Sequence, residues 1–110
     1  MELQLLGIIN YVKDEVEGLS GYGTSSSVNQ PLVDVKPKLE VLRGATGREK
    51  TKIKKEIYTD LNNFSNNVLN HDNKILIRQR VRQDDFDTME RKQRLVNKSV
   101  ENAKRKIAKI

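Results

Sequence analysis

The apolar residues Ile53, Ile57, Leu61, Phe64 and Val68 follow one another at steps of four, four, three and four, with charged residues, Asn and Thr filling most of the gaps. That spacing returns to one face of an α-helix and draws a stripe too narrow for a helix buried all round. Such a stripe has to be covered by another. Met89, Val96, Val100 and Ile107, with Ala103 and Ile110, repeat the three/four spacing near the end of the chain. Residues 46–110 therefore read as a basic antiparallel hairpin of two helices, 47–69 and 86–108, reversed at Asn70-His71-Asp72-Asn73. Thr46-Gly47-Arg48-Glu49 has the form of a capping box for the first of them.

Upstream, Leu5, Ile9, Val12, Val16 and Leu19 make a third apolar face, which predicts an amphipathic helix over 1–17 that stops at Gly18. Residues 18–45 are rich in Gly and Ser at first. Pro31 and Pro37 then interrupt, and Val33 and Val35 alternate with polar neighbours. The expectation for 18–45 is an extended arm or linker. Residues 74–82, Lys-Ile-Leu-Ile-Arg-Gln-Arg-Val-Arg, read as helix running into the next element, with a short strand as the second reading. The fold class expected is mainly α: N-terminal helix, arm, hairpin.

The residues offer little chemistry. There is no Cys and a single His, His71, placed by the pattern in a polar turn, so neither thiol chemistry nor a zinc site is expected. Asp84, Asp85, Asp87 and Glu90 cluster, as a magnesium site requires, but the last two also suit the start of a helix. Gly44-Ala-Thr-Gly47-Arg-Glu-Lys50-Thr51 lacks the Gly-Lys pair and the spacing of a phosphate loop. Ser25-Ser26-Ser27 has no base matched to it. The expectation is a protein that is not an enzyme and uses no cofactor or metal. Leu3 to Val12 is apolar but too short to cross a bilayer and has no basic residue ahead of it. Neither a membrane nor a secretory signal is expected, and the location inferred is cytoplasmic or within a virion.

Charge carries the functional weight. The chain of 110 residues has 21 Lys and Arg against 15 Asp and Glu, a net of +6, and the excess lies in 46–110. Arg48, Lys50, Lys54, Lys55, Arg78, Arg80, Arg82, Arg91 and Lys98 are the candidate phosphate contacts. With aromatics at 5%, stacking on single-stranded bases is not expected. The candidate seam residues are Ile53, Ile57, Leu61, Phe64, Val68, Met89, Val96, Val100 and Ile107. Two functions follow, the first as the expectation and the second as its alternative. A thin core, narrow seams and a long arm suit a structural subunit that bridges protein neighbours in a larger assembly, such as a virion or phage particle. The basic hairpin suits an accessory protein that holds a nucleic-acid backbone without reading its sequence. Association of like copies is compatible with either.

Overall fold

The structure, a computed structural model, describes residues 2–23, 25–79 and 83–110, with side chains apart from those of residues 2, 3, 75–79 and 83–85. The described residues form four helices: α1 (Glu2–Ser20), α2 (Ser26–Gly44), α3 (Gly47–Gln79) and α4 (Gln83–Ala108). Each of α1 and α3 packs on both α2 and α4, while the diagonal pairs α1/α3 and α2/α4 do not meet. Cross-links between helices show that all neighbours run antiparallel. Lys13 and Lys36 pair with Glu40 and Glu17 between α1 and α2, Asn67 and Asp60 meet the Val28 carbonyl and Lys38 between α3 and α2, Ser65 and Asp72 meet Asn97 and Lys92 between α3 and α4, and Glu15 and Tyr11 meet Ser99 and Lys106 between α1 and α4. The arrangement is an up-down-up-down bundle.

Its core is a set of matching seams. Ile9, Val12, Val16 and Leu19 of α1, Val28, Leu32, Val35, Leu39 and Leu42 of α2, Ile53, Ile57, Leu61, Phe64 and Val68 of α3, and Val96, Val100, Ala103 and Ile107 of α4 are all buried in one cluster. Steps of three and four average close to the 3.5 residues that keep a seam turned toward its neighbours in shallowly crossing helices. Met89 is only half-buried.

The extended arm expected over 18–45 is corrected: residues 26–44 are α2, and only a short turn separates it from α1. Val28, Leu32, Val35, Leu39 and Leu42 step by four, three, four and three, a seam as regular as any other in the chain. Two prolines and the outward-facing Val33 and Val41 obscure it. Ser25 starts this helix as its N-cap, its hydroxyl accepting from the Val28 N–H at 3.3 Å. Pro37 is exposed, so the Val33 carbonyl that loses its donor can turn to water. Burial of five aliphatic side chains, at roughly 1.5–3 kcal/mol each, exceeds the cost of two interior prolines at roughly 3 kcal/mol each.

The reversal expected at Asn70–Asn73 is corrected as well. These residues lie inside α3, which runs without a break to Gln79. Asp72 is buried, with Lys92 of α4 on its Oδ1 at 3.3 Å, and this cross-helix pair outweighs the local turn preference. Residues 74–79 are thus helix and not strand, and they continue α3 instead of starting α4; residues 80–82 lie outside the described residues. The remaining differences are at helix ends. α1 runs on to Ser20, α4 begins at Gln83, and α3 is entered through Gly47 at φ +59° without a Thr46–Glu49 hydrogen bond. That left-handed φ suits glycine, which has no Cβ to clash.

The helices differ in length, and this shapes the molecule. α1 and α2 have 19 residues each, about 28 Å at 1.5 Å per residue, whereas the 33 residues of α3 span about 50 Å. With Asn67 level with Val28, the later part of α3 and the start of α4 project beyond the α1–α2 turn as a two-helix prong. The long dimension of 52 Å, against 20 and 18 Å across, is that of α3.

Candidate basic interface

Because Val96, Val100, Ala103 and Ile107 bury one side of α4, helical geometry dictates what the other side presents. Arg91, Arg94, Lys98 and Arg105 fall within a sector of about 60° opposite that seam, at 100° per residue, and Lys109 follows in the turn just past the end of α4. All five are exposed. From Arg91 to Arg105 the helical stripe is about 21 Å long at 1.5 Å per residue. Arg94 is held by Glu90 at 2.7 Å, the favourable i,i+4 pair. Among the described residues, Arg91, Lys98, Arg105 and Lys109 make no ion pair. Glu101, at the edge of the sector, is occupied by Lys104 at 3.5 Å.

The antiparallel packing of α3 on α4 brings a second basic group to the same end of the bundle. Arg48, Lys52 and Lys55 are exposed on the outer side of α3, and Lys50 and Lys54 are half-buried on its flank. Lys52 and Lys55 line a shallow groove of about 450 Å³ toward α2, with Lys38 and Asp60, which pair with each other across it. The nine predicted phosphate contacts are therefore divided. Arg91 and Lys98 belong to the α4 stripe, while Arg48, Lys50, Lys54 and Lys55 gather at the start of α3. Arg78 lies in α3 with its side chain outside the described set, and Arg80 and Arg82 fall outside the described residues. Arg105 completes the stripe and Lys109 follows just past the end of α4; both belong to the basic run that ends the chain but are not among the nine candidates. The signal that singles out Arg105 is its spacing of seven residues from Lys98, on the face opposite the seam.

The groups considered for other chemistry have structural partners. Ser25 is the N-cap of α2. His71 is half-buried on α3, its Nδ1 3.6 Å from the Asp72 carboxylate. Glu90 pairs with Arg94; the side chains of Asp84 and Asp85 lie outside the described set. No group of three or more His, Asp or Glu gathers among the described residues. None of the described helices is long and apolar enough to cross a membrane. Between α3 and α4, Gln93 donates to the Ser65 hydroxyl at 3.1 Å and to Asn97 at 3.1 Å, a polar clasp that fixes the register of these two helices. On α1, Tyr11 holds Lys106 over its ring at 4.9 Å, and a hydrogen bond to Glu15 raises the phenol's pKa above its ordinary value.

Against this geometry, no family model, no curated protein and no solved structure matches the chain.

Proposed function

We propose that this protein is a non-enzymatic binding module whose α4 face lies along the phosphate backbone of a nucleic acid. The observation that carries this reading is the stripe of Arg91, Lys98 and Arg105, exposed on one side of one helix and making no ion pair among the described residues, with Lys109 just beyond the helix end. Ordinary solvated helices alternate charges that neutralise one another, as α1 and α2 do through Lys13–Glu40 and Lys36–Glu17. A row of cations held on one face attracts a polyanion and releases its counterions without reading bases. The test is binding to a labelled duplex by fluorescence anisotropy over a range of salt. The triple replacement of Arg91, Lys98 and Arg105 by Ala should weaken binding in low salt and lower the log–log salt slope by about three, near one per lost phosphate contact. Binding with the same slope in both proteins would place the contact elsewhere.

A second reading, a small subunit bridging its neighbours in a virion or phage particle, rests on a different feature. Its arm and thin core have given way to a closed bundle, but the projecting prong exposes Phe86, and Leu69 and Leu95 at its base are exposed as well. An aromatic ring left in water at the end of a prong suits insertion between other subunits. Phe86→Ser separates the two uses of this ring. An unchanged melting temperature would leave Phe86 free for a partner, and a fall of several degrees would assign it to the packing of the hairpin itself.

A further inference from the structure

Opposite its buried seam, α2 carries a second apolar row that the bundle does not use. Val33, Pro37 and Val41 recur at steps of four on the outside; Val33 is 54% and Val41 50% exposed, and Pro37 is exposed too. Of the charges beside this row, Glu40 pairs with Lys13, Lys36 with Glu17 and Lys38 with Asp60, while Asp34 makes no ion pair among the described residues. An apolar centre within a rim of mostly paired charge has the anatomy of a protein interface and is the opposite of the α4 surface.

We propose that a second copy of this chain docks here, α2 against α2, antiparallel about a twofold axis at Pro37. Such an axis sets Val33 of one copy level with Val41 of the other. On one flank Asp34 comes beside Lys38 of the other copy, and on the other flank Glu40 beside Lys36, each about 3 Å apart along the axis at 1.5 Å per residue. Opposed helix dipoles favour the same alignment. Net charge narrows the choice of surface. Two molecules of +6 repel through the unpaired cations of α3 and α4, and the largely neutralised α2 face avoids stacking them. Because α2 and α4 are diagonal in the bundle, the dimer turns its two basic stripes outward on opposite sides. It thereby joins two lengths of polyanion, a consequence that rests on the function proposed above, whereas the dimer itself does not.

The area sets the expected strength. A face about 28 Å long on a bundle 18 to 20 Å wide covers roughly 500 Å² per copy, less than the roughly 800 Å² of a standard interface. An interface of this size belongs to the weak, transient class. Sedimentation velocity on the full, nuclease-treated chain from about 5 to 500 μM tests this. The wild type should pass from monomer to dimer within that range. Val33→Glu and Val41→Glu, both at exposed sites, should each weaken association at least tenfold and leave the melting curve unchanged. Since the chain has no Cys, single-cysteine spin labels read the alignment: Pro37→Cys should give the shortest separation, and Ser26→Cys and Gly44→Cys longer ones. A wild type monomeric at the highest concentration, a dimer indifferent to both glutamates, or labels equally spaced at all three positions would overturn the proposal. Duplex binding by the monomeric Val33→Glu protein is read separately, so the failure of one proposal is distinguishable from the failure of the other.

Discussion

Asp72 shows how single residues hold this bundle in register. Its carboxylate is 4% exposed and takes Lys92 at 3.3 Å from the facing helix, and its second oxygen has no hydrogen-bond partner in the structure. Removing the lysine leaves a buried carboxylate with less compensation than before. Lys92→Met should lower stability by about 2 kcal/mol in urea unfolding, and Lys92→Met combined with Asp72→Asn should recover part of it. Ser25→Ala, which removes the α2 N-cap, should cost about 1 kcal/mol in the same measurement. Glu40 gives a pH signature. The hydrogen bond and charge of Lys13 hold its carboxyl below its ordinary pKa. A depressed folded value means stability that is present above the unfolded pKa and is lost as pH falls through the folded one. Acid titration of the helical signal should show this loss below the ordinary carboxylate range, and Glu40→Gln should remove that contribution.

At the scale of the helix, α2 is the instructive element. Its prolines and exposed valines argue locally against helix, and its buried seam argues for it. Leu39 is fully buried, so Leu39→Ala should cost about 2–5 kcal/mol, whereas in an extended arm it would cost almost nothing. Pro37→Ala should stabilise the protein by about 1–2 kcal/mol, since an exposed helical site regains its N–H while the unfolded chain gains some freedom. A destabilisation in thermal unfolding would mean that the proline ring itself is packed. The seams of α1, α3 and α4 were legible because polar residues fill most of the space between their apolar residues. In α2 the outward Val33 and Val41 blur the period, and in α3 the turn-forming run Asn70–Asn73 hides the ten further residues of helix over 70–79.

The whole molecule combines a closed bundle with an open prong. Along most of their length α3 and α4 are covered by α1 and α2, but beyond the α1–α2 turn they have only each other. Hydrogen exchange should therefore be slowest over 53–68 and 96–107, and faster by orders of magnitude over 73–79 and 83–92. Equal protection throughout would show that something covers the prong. Phe64, fully buried in a core otherwise aliphatic, is the largest single packing element. Phe64→Ala should cost about 3–5 kcal/mol and lower the cooperativity of unfolding across all four helices.

Residue spacing alone reveals that this chain is helical, which side of three helices is apolar, and that positive charge collects in its second half. These are local properties, set by a period of 3.6 residues and by composition. Spacing does not reveal that residues 26–44 are a helix, where α3 ends, or which cations share a face with solvent. Those depend on burial against neighbouring helices. The Leu39 seam becomes helical because three other seams cover the core it faces, and Asn70–Asn73 stays helical because Lys92 waits opposite Asp72. Arg105 joins Arg91 and Lys98 because packing fixes which side of α4 is inside.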